Sequence, residues 1–70
     1  MRFGNLEAEF TRMGLSVEEV GNKLGFSKCL MYNRLKGYTN WTLSDMLKVQ
    51  QFVNERTQSH YTLDYLFSKG

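Results

Sequence analysis

Apolar residues along this chain recur at intervals of three and four positions, which is the period of an α-helix, and no run alternates as a strand does. In the first segment the pattern is set by Phe3, Leu6, Phe10 and Met13. Glycine and asparagine residues separate this segment from later ones of the same kind. The pattern predicts five helices, at about residues 4–13, 16–24, 27–36, 42–54 and 62–68, with a polar, turn-like stretch at 54–60.

Serine and threonine residues stand where these helices are predicted to begin. Ser16 is followed three residues later by Glu19, the spacing of a capping box, in which each side chain binds a free backbone N–H group of the other residue. Gly25 and Gly37 end the second and third helices, because glycine readily adopts the left-handed conformation found there. Three residues, Gly25 to Ser27, therefore join these two helices, which is the arrangement of a helix-turn-helix.

The composition narrows the class of protein. A chain of 70 residues with one cysteine and no proline has room for one domain, taken as residues 1–70, and it predicts an all-α, compact five-helix bundle with a central helix-turn-helix. One cysteine and one histidine are too few for a disulfide or a zinc site, so no metal or cofactor is expected. Apolar runs are far shorter than the roughly 20 residues of a membrane span, and a signal peptide's apolar stretch is missing, which predicts a soluble, cytoplasmic protein.

The charges are unevenly distributed. No acidic residue lies between Glu19 and Asp45, and residues 20–44 carry a charge of +4 while the rest of the chain carries −2. A local basic patch on a nearly neutral chain suggests binding of a polyanion on one face. A solvated helix face rich in lysine is the alternative interpretation.

The third predicted helix carries the most informative pattern. Because successive positions turn by about 100°, Met31 and Leu35 face the core, together with either Leu30 or the aliphatic stem of Arg34. The opposite side presents the candidate base-reading residues Lys28, Cys29, Tyr32 and Asn33. In the major groove, asparagine pairs with the N6/N7 edge of adenine, lysine donates to guanine O6 and N7, and a small apolar group contacts the thymine methyl. Any one of these residues taken alone is more often a solvated surface group, and the base-reading interpretation depends on the four residues together.

Hydroxyl, amide and basic groups nearby are the usual phosphate contacts. The candidates are Ser16, Lys23, Arg34, Lys36, Tyr38, Thr39 and Asn40. Trp41 precedes the fourth helix and is interpreted as a lid on the core. The lone Cys29 could serve as a redox sensor, and His60 is interpreted as a loop residue. Neither belongs to a set of converging catalytic groups, so no catalytic residue and no enzyme activity is predicted.

The block Gly14-Leu15-Ser16-Val17-Glu18-Glu19-Val20-Gly21-Asn22-Lys23-Leu24-Gly25-Phe26-Ser27, with the helix that ends in Lys36-Gly37, resembles the lambda-repressor-like, Cro/cI-type helix-turn-helix domains (XRE family) of phage and bacterial transcriptional regulators. The ending Thr62-Leu63-Asp64-Tyr65-Leu66-Phe67 is similar to the closing helix of many such domains. The resemblance runs from about Asn5 to Phe67. It implies a Cro-like repressor that binds double-stranded operator DNA as a homodimer, with helix 27–36 in the major groove. No small-molecule effector is expected, because the sequence shows no effector domain.

Four positions depart from the pattern of that family. Val17 stands where many relatives have a glutamine, and Arg34 where an aliphatic residue is usual. Some relatives pair an arginine of the first helix with a glutamate of the third, at the positions of Phe10 and Leu35. Here both residues are apolar, and apolar replacement of a buried ion pair is often neutral or stabilising. We therefore predict that Phe10 packs on Leu35.

The aromatic end of the chain leaves two interpretations open. Tyr61, Tyr65 and Phe67 form a candidate dimer interface, because a single helix-turn-helix reads only half of a two-fold operator. The same rings could instead close the core of the monomer. The rival function is that of a small helical protein-interaction adaptor or antitoxin-like regulator that makes no base-specific contacts of its own.

Overall fold

Five α-helices make up the computed structural model, which describes residues 3–68. They are α1 (Gly4–Arg12), α2 (Val17–Leu24), α3 (Lys28–Lys36), α4 (Leu43–Thr57) and α5 (Leu63–Leu66). The described range contains no strand. The predicted all-α bundle with a central helix-turn-helix is confirmed, and most helix ends lie within a residue of their predicted positions.

Side-chain caps explain why four of the helices begin where they do. The Ser16 hydroxyl accepts the backbone N–H of Glu19, and the Glu19 carboxylate accepts the backbone N–H of Ser16, both at 3.1 Å. The same N-cap bond is made at the start of the later helices by Ser27, Thr42 and Thr62. α2 and α3 end at Gly25 and Gly37, whose φ angles of 81° and 85° are left-handed. Residues close together in the chain therefore determine these helix bounds.

α4 is longer than predicted, and the turn-like assignment of residues 54–57 was wrong. The helix continues to Thr57 and ends at Gln58, whose φ of 53° is left-handed. Asn54 has a tertiary role, because its side chain donates to the carbonyl oxygen of Tyr61 at 3.1 Å and accepts the N–H of Tyr61 at 2.8 Å. The polar residue that suggested a turn instead binds the segment leading into α5.

The core lies where α1, α2, α3, α4 and α5 meet. Its buried apolar side chains are Phe3, Leu6, Phe10, Val20, Phe26, Met31, Leu35, Val49, Val53 and Leu66. Phe10 and Leu35 both belong to this cluster, and their direct contact stays a prediction. Trp41 packs on the edge of the core, with its ring edge-on to Phe3 and Phe67 at centroid distances of 6.3 and 5.0 Å. The interpretation of Trp41 as a lid is confirmed.

A buried carboxylate attaches α5 to α1. Glu9 is fully buried, and its carboxylate accepts hydrogen bonds from Arg12 at 3.0 Å and from the Tyr65 hydroxyl at 3.1 Å. Arg12 also lies 3.3 Å from the hydroxyl of Tyr61, whose ring stacks on that of Tyr65. Burial of a carboxylate is tolerated where hydrogen bonds and an opposite charge compensate for lost water.

These contacts bear on the candidate dimer interface. The hydroxyl of Tyr61 is hydrogen-bonded to Arg12 and that of Tyr65 to Glu9. Phe67 is half-buried against Phe3 and Trp41. Tyr61 and Phe67 pack against the monomer core, as the second interpretation proposes, and a dimer interface at this end of the chain stays a prediction. Only Tyr65, at 37% exposure, leaves much of its surface open.

Candidate nucleic-acid interface

α2 and α3 pack closely because the residue of α2 at their contact, Gly21, has no side chain. A Cβ atom added at Gly21 would lie 2.8 Å from Cγ of Met31 and 3.0 Å from the carbonyl oxygen of Phe26. In addition, the N–H of Phe26 donates to the carbonyl oxygen of Gly21 at 2.7 Å, and the Phe26 ring is buried. The turn and the first part of α3 are therefore held firmly against α2.

α3 has an inner and an outer side. Met31, Arg34 and Leu35 are its buried residues, and Leu30 is partly buried against the core beside them. Lys28 and Cys29 are exposed, while Tyr32 and Asn33 are half-buried. All four residues predicted to read bases therefore keep part of their surface open.

Two of these residues contact each other across one helical turn. The Asn33 side-chain amide donates to the Cys29 thiol at a distance of 3.4 Å between nitrogen and sulfur. Hydrogen bonds to sulfur are weak. The Asn33 amide can therefore exchange this partner for a stronger acceptor.

Lys28 has an acidic neighbour on α2. Its ammonium nitrogen lies 3.7 Å from a carboxylate oxygen of Glu18, and both side chains are more than half exposed. Exposed ion pairs contribute between about 0 and 1 kcal/mol. Lys28 therefore loses little if it leaves Glu18 for another acceptor.

Arg34 is almost entirely buried and is paired with an acidic residue, which argues against the predicted phosphate contact. The residue is only 7% exposed, and its guanidinium nitrogen Nη1 lies 2.6 Å from a carboxylate oxygen of Asp45 on α4. The hydrogen bond from Arg34 is the main reason that the pKa of Asp45 is lowered from its usual range. Periodicity alone missed this pair, because the partner lies in the next helix.

The remaining phosphate candidates differ in whether their polar groups are already hydrogen-bonded within the protein. Exposed positions are held by Ser16, Lys23, Lys36, Tyr38, Thr39 and Asn40. Ser16 is the weakest of these, because its hydroxyl and its backbone N–H are both bonded to Glu19. The hydrogen bond from the Ser16 backbone N–H to the Glu19 carboxylate is the main reason that the pKa of Glu19 is lowered, and this carboxylate at the helix end repels phosphate.

The structure adds one basic residue to this surface. Lys48 of α4 is exposed, and its ammonium nitrogen lies 5.7 Å from the centre of the Phe26 ring in the turn between α2 and α3. Its charge therefore supplements that of Lys23, Lys28 and Lys36 near the helix-turn-helix. Sequence analysis missed Lys48 because it follows Asp45 and lies outside the basic segment.

Other kinds of site find little support in residues 3–68. Cys29 is exposed on α3, whereas His60 lies in the segment between α4 and α5. The part of the chain that the structure describes holds no group of three histidine, cysteine or acidic side chains placed to bind a metal ion. None of its helices is long and apolar enough to cross a membrane.

No protein-family model, curated protein or solved structure matches this chain. The function must therefore be argued from the residues and their geometry.

Proposed function

We propose that this protein is a sequence-specific double-stranded DNA-binding regulator, of the Cro-like repressor kind, that inserts α3 into the major groove. The observation that carries the proposal is the division of α3 into two sides. Met31, Arg34 and Leu35 anchor the helix in the bundle, while its N-terminal half directs Lys28 and Cys29 outward. A helix held in this way behind a short turn suits the major groove, which is about 12 Å wide.

The outer side chains match the chemistry of base edges. The Asn33 amide both donates and accepts, as pairing with adenine N6 and N7 requires, and the Lys28 ammonium suits guanine O6 and N7. Cys29 is small and exposed, which suits contact with a thymine methyl. Tyr32, which is half-buried beside them, would contact the edge of the same site.

Phosphate contacts would lie on either side of α3. Lys23 and Lys36 are exposed at the ends of α2 and α3, and Tyr38, Thr39 and Asn40 follow at once with hydroxyl, amide and backbone donors. Such contacts hold a protein in register on the duplex but carry little sequence information. Binding as a homodimer would place two copies of α3 about 34 Å apart, one turn of DNA.

The test is DNA binding measured by fluorescence anisotropy across a salt series. A duplex selected from a random library serves as the specific site, and a scrambled duplex as the nonspecific one. We expect a steep loss of affinity with salt and a specific-to-nonspecific ratio of about 10³ or more. Absence of binding to either duplex at low salt would refute the proposal.

Two substitutions separate base reading from phosphate contact. Asn33→Ala should weaken binding to the selected site by about 1 to 3 kcal/mol and relax specificity at one position, whereas Lys36→Ala should weaken all sequences alike. Gln51→Ala is the matched control, since it removes an exposed amide on α4 whose partner is Glu55. Equal effects of Asn33→Ala on both duplexes would exclude base reading by this residue.

Cys29 offers a chemical probe of the same surface. Its thiol is exposed, so iodoacetamide should modify it, and the added group should block insertion of α3. The selected duplex should protect the thiol, and Cys29→Ser protein should bind DNA with or without the reagent. Modified protein that binds as well as unmodified protein would place the contact surface elsewhere.

A second candidate function rests on a different surface. Leu43 and Leu47 are 64% and 47% exposed and lie one turn apart on α4, which favours contact with another protein. If the protein were an adaptor, Leu43→Ser with Leu47→Ser would abolish capture of its partner, while DNA binding would be absent throughout. A DNA-binding regulator should retain its DNA affinity per protomer in this double variant.

A further inference from the structure

Arg34 contacts three parts of the structure besides its own helix. Its guanidinium carbon lies 5.6 Å from the centre of the Phe26 ring and 5.3 Å from that of Trp41. Its Nη1 atom pairs with Asp45 at 2.6 Å. One side chain of α3 thus touches the helix-turn-helix turn, the loop before α4 and the first turn of α4.

The guanidinium is suited to hold these elements at a defined angle. It is planar, with donors in its plane and apolar faces above and below, so it stacks on aromatic rings while it pairs with a carboxylate. Trp41 extends the contact, because its ring packs on Phe3 and Phe67. The orientation of α3 is therefore coupled to the two ends of the described chain.

This arrangement is not optimised for stability alone. The Nε atom of Arg34 and the indole nitrogen of Trp41 are buried and have no hydrogen-bond partner within residues 3–68. Unpaired buried donors are unfavourable, and buried ion pairs are often no more stabilising than apolar residues of similar size. In some proteins, buried groups of this kind specify one geometry at the expense of stability.

We propose that Arg34 is a positioning residue for DNA reading, which sets the angle at which α3 presents its outer side chains, and that it contacts no phosphate. This inference rests on the proposed function for its role in recognition. The orientation of α3 relative to α4 is a property of the free protein and is tested without DNA.

The experiment compares Arg34→Met with Lys36→Met. The two side chains lie two residues apart on α3, but Lys36 is exposed, so its loss removes a charge without disturbing the core. Residual dipolar couplings of the free proteins report the angle between α3 and α4. We expect that angle to change by about 10° or more in Arg34→Met and to stay unchanged in Lys36→Met.

DNA binding supplies the second readout. Log affinity falls as log salt concentration rises, and each phosphate contact adds about 0.9 to the steepness of this fall, which is here called the salt slope. Arg34→Met should keep the wild-type slope and lose about tenfold or more in specific affinity alone, as loss of a good base contact would. Lys36→Met should lower the slope by about 0.9 and weaken specific and nonspecific binding equally.

A double variant, Arg34→Met with Asp45→Leu, guards against misfolding, because it leaves no unpaired charge. It should fold, show the altered angle and lose specific affinity. An unchanged angle in both Arg34 variants would overturn the inference whether or not DNA is bound. A lowered salt slope in Arg34→Met would also overturn it, since Arg34 would then contact phosphate. Wild-type protein that binds no DNA refutes the proposed function, and with it the role in recognition, while the measured angle still decides whether Arg34 orients α3.

Discussion

Substitution of Gly21 by alanine tests the close packing on which the helix-turn-helix depends. In an open helix this change stabilises a protein by about 0.5 to 1 kcal/mol, because alanine loses less backbone entropy on folding. Here the new Cβ would lie 2.8 Å from Cγ of Met31 and 3.0 Å from the carbonyl oxygen of Phe26. Both distances are shorter than ordinary contacts between carbon or oxygen atoms.

The surroundings of Gly21 decide the size of the effect. Met31 is flexible but fully buried, so its side chain moves only by displacing other core residues. The Phe26 carbonyl belongs to the backbone, and the N–H of the same residue donates to the carbonyl oxygen of Gly21, which restricts its movement. Overpacking of a core typically costs about 1 to 3 kcal/mol. After the gain in helix propensity is subtracted, we expect Gly21→Ala to lower the free energy of unfolding by up to about 2.5 kcal/mol.

Urea denaturation followed by circular dichroism at 222 nm measures this change, with thermal unfolding as a second readout. The midpoint temperature should fall by about 4 to 8 °C for each kcal/mol in a domain of this size. Gly4→Ala is the matched control, since a Cβ there has no neighbour within 4 Å, and it should be neutral or stabilising. Met31→Ala removes one of the clashing atoms, so Gly21→Ala should destabilise less in that background.

A stability of Gly21→Ala equal to or above that of the wild type would refute this reasoning. It would mean that α2 and α3 have room between them, or that they separate at little cost. An effect of the same size in the Met31→Ala background would show that Met31 is not the atom group that resists the new methyl. In that case the Phe26 carbonyl alone would account for the loss.

Two further predictions concern titrating groups. Because the hydrogen bond from Arg34 lowers the pKa of Asp45 in the folded protein, this pair stabilises the fold above the unfolded pKa of about 3.9 and is lost as pH falls through the lower folded value. Asp45→Asn should therefore show a smaller loss of urea midpoint between pH 6 and pH 2 than the wild type, and equal losses would contradict the assignment. The hydrogen bond to Glu9 raises the pKa of Tyr65, so its stabilisation is present below an unfolded pKa of about 10 and is lost as pH rises through the higher folded value. Tyr65→Phe should lower the urea midpoint at pH 7, flatten the decline of that midpoint above pH 10, and speed amide hydrogen exchange in α5. Tyr38→Phe, which changes an exposed ring, is the control. Unchanged amide exchange in α5 of Tyr65→Phe would exclude the proposed attachment of α5 to α1.

Much of the fold was predictable because its signals are local. The N-caps at Ser16 and Ser27 and the left-handed residues Gly25 and Gly37 act within a few positions along the chain. The α4 boundary was missed because Asn54, a residue typical of turns, is bonded to Tyr61, which follows seven residues later. Local preference is overridden where a tertiary hydrogen bond is available.

The candidate interface was predictable in part. Helical periodicity was sufficient to separate the outer residues Lys28 and Cys29 from the buried Met31 and Leu35. It left Arg34 undecided, because a long side chain with an apolar stem and a charged end suits either side of a helix.

The sequence by itself determined where the helices begin and where α2 and α3 end, that the chain forms an all-α bundle, and which side of α3 is apolar. Tertiary structure alone decided that Arg34 is a core residue paired with Asp45, and that Tyr65 reaches the buried Glu9. The physical reason is distance along the chain. Caps and helical periodicity involve residues within four positions of one another, whereas these partly buried pairs join residues 11 and 56 positions apart. Such pairs are stable only where the packed core excludes water and compensates each charge.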